Sequence, residues 1–237
     1  GTTTNPVVSS TGWYHLEVKL VIDGVVGSVE VRVEGTPVLT LSNINTGAVP
    51  VGQTVIANHP DVSSAGVQMY IKDYVVWDGS GSFNNDFLGS VLVTNLSPTS
   101  DVDLNWTPST GSTGYTILDN IPPIDTQFIS APYDALGPPF YPDPYVATHT
   151  ALPVDVTTVK GIVTYVRAAK ADGGDGSLQV GIISDPDGTP ASTLGEDRQI
   201  TVAQNYWRDV FEVDPATSAL WLQDAVNESQ IQLNRTT

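Results

Sequence analysis

Three sets of residues in this sequence have the chemistry for a site. Paired carboxylates come first, because 20 of the 26 acidic residues are Asp. Asp101 and Asp103 stand two apart in DVDLNW, and on a strand that spacing puts both on one face near Trp106. Two carboxylates so placed could cleave a glycosidic bond, one protonating the leaving oxygen while the other attacks or activates water. A chain with this many aspartates also produces such pairs by chance, and nothing nearby marks either one as sitting in an apolar pocket. The second set is a run of oxygen donors, Asp73, Asp78, Asn84, Asn85 and Asp86. These could converge on a structural calcium ion, a hard cation that takes carboxylate and amide oxygens. The same side chains could equally tie their own loop by hydrogen bonds to its backbone. The third set is aromatic: Trp77, Trp106 and Tyr115 would contact a glycan if they line a shallow groove, and would be core if buried.

Other chemistries lose support from the same reading. His15, His59 and His149 have no partner at a metal-binding spacing and are expected on surfaces or loops. There is no Gly-x-Ser-x-Gly elbow, phosphate loop or dinucleotide fingerprint. With no cysteine, disulfides and thiolate chemistry are excluded. DVDLN at 101–105 starts like a cation loop, but Trp106 stands where an EF-hand needs glycine and Ser112 where it needs glutamate. DPDG at 185–188 and DGGDG at 172–176 read as turns. Nine Lys and Arg against 26 acids, a formal charge of -17, argue against nucleic acid, which binds through clustered cations. No apolar run approaches the roughly 18 residues that cross a bilayer, so membrane insertion is not expected. No cofactor other than calcium, and no enzymatic activity, is expected.

The elements that must position these residues are strands. In WYHLEVKLVI, Tyr14, Leu16, Val18, Leu20 and Ile22 alternate with His15, Glu17 and Lys19, which predicts a half-buried antiparallel strand with its aliphatic face inward. Asp23-Gly24 offers a turn into GSVEVRVE at 27–34, and Gly35 turns the chain into TPVLTLS. After a looser segment with a short strand near Val55, Ile71 to Asp78 alternates again and enters a Gly/Asn/Asp loop pinned by Phe87 and Leu88; SVLVTNL at 90–96 follows as a strand. Residues 97–158 are proline-rich with little periodicity, yet carry Trp106, Tyr115, Phe128, Tyr133, Phe140, Tyr141 and Tyr145, which suits an ordered connector rather than a disordered linker. Beyond it, KGIVTYVRAAK, DGGDG and SLQVGIIS predict a hairpin. Strands are also expected at Arg198 to Ala203, Tyr206 to Val213 and in SQIQLNR. DPATSALWLQDAVNES is the one helix candidate, with Asp214 as cap, Pro215 in the first turn, and Leu220, Trp221 and Val226 toward the sheet. The expectation is an all-β chain of two antiparallel β-sandwich, jelly-roll-like modules, 1–96 and 159–237, joined by the connector 97–158, with one short helix near the C-terminus.

The run from Asp73 to Gly89, DYVVWDGSGSFNNDFLG, resembles a segment of structural proteins of tailed bacteriophages and related gene-transfer particles, where it closes a laminin-G or concanavalin-like jelly roll. WTPSTG at 106–111, IPPIDTQFIS at 121–130 and YWRDVFEVDPATSALW with AVN at 206–227 are similar to the same proteins in the same order. The resemblance implies a non-enzymatic fibre, spike or decoration protein on the surface of a virion's capsid or tail, with other virion proteins as partners and a host-surface glycan as a further contact. It carries no catalytic residue across. Such proteins have further strands before the segment matching Trp13 to Leu20; either that part has been removed, or another chain supplies those strands, or the first domain is a smaller sheet than a full jelly roll, and closure by a neighbour makes a homo-oligomer, a trimer first, the expected state. Two alternatives stand beside this reading: a carbohydrate-binding module using Trp77, Trp106 or Tyr115, and a glycan depolymerase using Asp101 and Asp103.

Overall fold

The computed structural model describes residues 12–49, 51, 56, 70–79, 82–132, 143–171 and 173–236. The protein is all-β, several antiparallel sheets with two short helices, and it divides into two compact units, Gly1–Val93 and Thr94–Thr237. His59, the strand expected near Val55, and the aromatics Tyr133, Phe140 and Tyr141 lie outside the described residues.

In the first unit, β1 (Leu16–Val21), β2 (Gly27–Val33) and β3 (Thr36–Ile44) form a sheet in that order. The β2–β3 turn is Glu34-Gly35, both at positive φ (50° and 73°), the two-residue geometry whose twist matches paired strands. Between β1 and β2, the Asp23 carboxylate accepts the N–H groups of Val25 and Val26, and the Thr46 hydroxyl donates to the Val21 carbonyl. Gly27 lies directly under Thr46, where a Cβ has no room. The hairpin and third strand therefore form where the alternation and turns place them.

The faces, however, are reversed from expectation. Cross-strand partners share a face, so the register collects Leu16 with Val33, Val18 with Val31 and Leu39, and Leu20 with Val29 and Leu41 on one side. Glu17, Lys19, Glu30 and Arg32 take the other. Along β1 the aliphatic side is the open one among the described residues, since Leu16 and Val18 are each 57% exposed while Glu17 is only 5% exposed; the aliphatic partners on β2 and β3 are half-buried. The reason is the loop at 82–89, which lies over the charged side. The Arg32 guanidinium stacks 3.7 Å from the Phe87 ring centroid, Lys19 meets Asp86 at 2.8 Å, and the Glu17 carboxylate accepts the Gly89 N–H at 2.9 Å. Phe87 does pin the loop, but onto cations and a carboxylate instead of a hydrocarbon core.

Two expected strands of this unit do not form. Residues 71–78 break at Asp73, whose φ of 54° is incompatible with an extended run, and its carboxylate accepts the Val93 N–H at 3.0 Å in place of a ladder bond. That side-chain link holds Val93, and 90–96 likewise lacks a ladder partner among the described residues.

The second unit contains β4 (Pro98–Asp103), β5 (Thr107–Pro108), α1 (Tyr115–Leu118), β6 (Ile129–Ser130), β7 (Tyr145–His149), β8 (Ile162–Ala168) and β9 (Ser177–Ser184). It continues through β10 (Ala191–Leu194), β11 (Arg198–Gln199), β12 (Asn205–Phe211), β13 (Val213–Asp214), β14 (Ala219–Leu220), α2 (Gln223–Glu228) and β15 (Gln230–Arg235). The main sheet runs β10-β9-β15-β7-β4, with β11 also on β9; β8 and β12 make a separate pair. Residues 97–158 are thus no connector. They supply β4 and β7, and Tyr145 and Ala147 of β7 are fully buried in the sheet's core. That core combines Trp106, Tyr145, Ala147, Leu178, Val180 and Leu233, with Val166 and Ala168 of β8 packed against it. A second cluster joins Leu152, Ile182, Phe211, Trp221 and Val226, with Ile162 of β8 against it. The β8–β12 pair therefore covers one face of the main sheet, a sandwich-like arrangement.

The expected β8–β9 hairpin is also replaced. β8 pairs with β12, and β9 pairs with β15, β10 and β11. Nearly every residue of β9 is buried, so it needs neighbours on both sides and cover on both faces, which a hairpin partner alone cannot supply. The glycine-rich stretch after β8 carries the chain between layers instead of turning it tightly. The helix is shorter than predicted: only Gln223–Glu228 is helical, because Asp214 forms a turn, accepting the Ala216 N–H and the Thr217 hydroxyl, and Ser218 sits at a φ of 56°. Trp221 and Val226 are buried as the pattern indicates.

Candidate functional site

The paired aspartates separate. A register shift in β4 sets Asp101 opposite Ala147 and Asp103 opposite Val146. Val146 and Ala147 are successive residues of β7 and so point to opposite faces, and their β4 partners follow them. Asp101 turns inward and is fully engaged. Its oxygens accept the Gly114 N–H (2.8 Å), the Tyr115 N–H (2.8 Å) and the Tyr145 hydroxyl (2.7 Å). It anchors the start of α1 to the core, and Gly114 is packed so tightly against the Tyr145 ring that a Cβ would collide. Burial, then the hydrogen bond to Asp101 and its negative charge, push the Tyr145 phenol well above its ordinary value. Asp103 stays exposed. One strand spacing that should have made a carboxylate pair has made a structural anchor and a surface charge.

The oxygen-donor loop divides in the same way. Asp73 accepts from Val93 and approaches Lys72, while Asp86 accepts from Lys19 and from the Phe87 N–H, which hold its carboxyl below the usual range. Asn84 sits at a φ of 50°, and Asp78, Asn84 and Asn85 have partners of their own. Among the described residues no cluster of three or more acidic or histidine side chains is brought together. Of the glycan candidates, Trp106 is core: it is 7% exposed and its indole N–H donates to the Asp143 carbonyl. That burial removes it as a contact residue. Trp77 and Tyr115 are half-buried and belong to different units.

Of the two described histidines, His15 lies just before β1 as a loop position would, and His149 departs from expectation. The His15 backbone N–H donates to Glu34. His149 is half-buried in β7, with Nδ1 2.9 Å from the Thr150 carbonyl and Nε2 3.0 Å from the Ser229 hydroxyl. A serine beside an imidazole has the outline of a nucleophile and base. Ser229 is 1% exposed, however, and its hydroxyl also lies 2.9 Å from the Val226 carbonyl, so the contact ties the end of α2 to β7 and gives a substrate no approach.

Two arrangements were not anticipated from the sequence. Asp209, buried on the inner side of β12, accepts from Arg198 at 2.9 Å and from the Glu196 N–H at 3.3 Å. The bond to Asp209 raises the Arg198 guanidinium's already high pKa, and the pair links β11 to β12 across the layers. On the outer side of β8–β12, Tyr165 and Tyr206 stack with centroids 5.2 Å apart and planes 17° from parallel. The Arg167 guanidinium lies 5.1 Å from the Tyr206 ring centroid and forms an ion pair with Asp125. The signal for this face was present in the alternation of Val163, Tyr165 and Arg167 with buried neighbours, but only the β8–β12 register brings Tyr206, Arg208 and Val210 beside them.

Comparison with known proteins adds no relative: no family model, curated protein or solved structure matches the chain.

Proposed function

We propose that this chain is a non-enzymatic structural protein of a tailed-phage-type particle, carried on the surface of its capsid or tail, acting by assembly with copies of itself and by contact with host-surface glycans. The observation that supports it is the aliphatic side of the β1–β3 sheet, where Leu16, Val18 and Leu20 of β1 are exposed among the described residues and continue into cross-strand rows of half-buried Val29, Val31, Val33, Leu39 and Leu41. Burying such a face against a neighbour returns roughly 1.5–3 kcal/mol for each side chain that becomes fully covered. Aliphatic rows have no chemistry beyond that burial, so an assembly role accounts for them where a catalytic one does not. The ordered run of segments from Asp73 to Asn227 supports the particle assignment. Light scattering on the eluting protein tests it: a mass of three chains is expected, and a monomer across the accessible concentration range would contradict it.

A further inference from the structure

The outer face of the β8–β12 pair has a composition that the rest of the chain does not lead one to expect. Its six outward positions are Val163, Tyr165 and Arg167 on β8 with Val210, Arg208 and Tyr206 directly across on β12. They contain two arginines and no acid, in a chain with 26 acidic and nine basic residues. Asp209, the nearest acid in sequence, is turned to the inner side beside Thr164. Asp125 neutralises Arg167. Arg208 is exposed and has no carboxylate partner among the described residues.

Geometry gives this face a direction. Along the sheet the rows are Arg167 with Tyr206, Tyr165 with Arg208, then Val163 with Val210. The stack puts Tyr206 against one side of the Tyr165 ring, and Arg167 lies over Tyr206 as well. Tyr165 is the open end, 60% exposed, and the next row beyond it is the valine pair, itself exposed. A ring lying against the free side of Tyr165 would have two valines beneath it and Arg208, roughly 5 Å away across the strand at Cβ, beside it. An aromatic wall suits the apolar C–H face of a sugar ring, and a guanidinium fork suits a carboxylate in a two-point bond.

We propose that this face binds an acidic saccharide, one uronic-acid-type ring stacked on Tyr165 with its carboxylate held by Arg208. The proposal rests on the glycan-contact part of the reading above and names the residues and the sugar class for it. It does not depend on the assembly face, which lies in the other unit. The test is calorimetric titration of the full chain with a short galacturonate oligomer, its methyl-esterified form and an oligoglutamate. The galacturonate oligomer should bind, the ester at least about tenfold more weakly, and oligoglutamate no better than the ester. Arg208→Gln and Tyr165→Ala, both at exposed positions, should each weaken binding about tenfold, a loss of about 1.4 kcal/mol. Absence of binding, equal binding of the ester or of oligoglutamate, or unchanged affinity in both variants would overturn it. A trimer that fails to bind would remove this inference alone, whereas a monomer that binds would remove the assembly reading alone.

Discussion

The two units use the same alternating code to opposite effect. β1 of the first unit reads LEVKLV and leaves its leucines and valines open while burying a glutamate; β9 of the second reads SLQVGIIS and is buried almost throughout. The difference lies in what arrives from elsewhere in the chain. β9 receives neighbours on both sides and the β8–β12 layer near it, whereas the charged side of β1 receives a loop whose Phe87, Asp86 and Gly89 satisfy Arg32, Lys19 and Glu17. Alternation specifies which residues share a face. It does not specify which face is covered, because that depends on partners distant in sequence.

The largest effect that could break this comparison is a core truncation set against an equivalent one on the open face. Trp221→Ala should cost the second unit about 3–5 kcal/mol, since the ring is fully enclosed and its N–H bond to the Phe211 carbonyl is lost as well. Val18→Ala should change the first unit's stability by well under 1 kcal/mol in the dissociated chain. Denaturant unfolding followed by tryptophan fluorescence and amide exchange resolves the two; equal losses would mean that Val18 is covered in solution.

A smaller effect separates the units by pH. Tyr145 is held neutral in the folded protein while an unfolded tyrosine ionises near pH 10, so above that pH the unfolded chain has released a proton that the folded chain keeps. Stability of the second unit is therefore complete below pH 10 and falls as pH rises beyond it. Tyr145→Phe should flatten that decline, at the cost of an unpaired bond at Asp101 worth about 1–3 kcal/mol. An unchanged alkaline profile in the variant would show that Tyr145 is not the group responsible.

The smallest expected effect concerns the loop on the charged side. Asp86 and Lys19 are exposed, so Asp86→Asn should leave thermal unfolding unchanged within error. Millimolar calcium should also leave it unchanged, because Asp73 and Asp86 are directed at separate partners. A calcium-dependent rise in Tm that Asp73→Asn abolishes would instead restore a metal at that loop.

Where turn residues and alternation acted locally, the sequence was a sufficient guide. The β1–β2–β3 meander lies where the Asp23-Gly24 and Gly35 turns indicate, and β12 and β15 fall within Tyr206 to Val213, to one residue, and SQIQLNR. Strand partners were less legible. β8 and β9 are adjacent in sequence yet sit in different sheets, and β7 looked like part of a connector because Pro142 and Pro144 precede its five residues. The candidate sites were the least legible of all. A single register shift in β4 divided Asp101 from Asp103, and the Tyr165–Tyr206 stack exists only through a pairing of strands about forty positions apart.

The measurement that bears most directly on the account is sedimentation of Val18→Glu beside the unaltered protein. A buried charge on the aliphatic side would be intolerable in an assembly and harmless on an open surface. The account predicts that the variant remains folded and sediments as a single chain while the parent sediments as a trimer. A variant that keeps the parent's mass would show that this face is not where the copies meet.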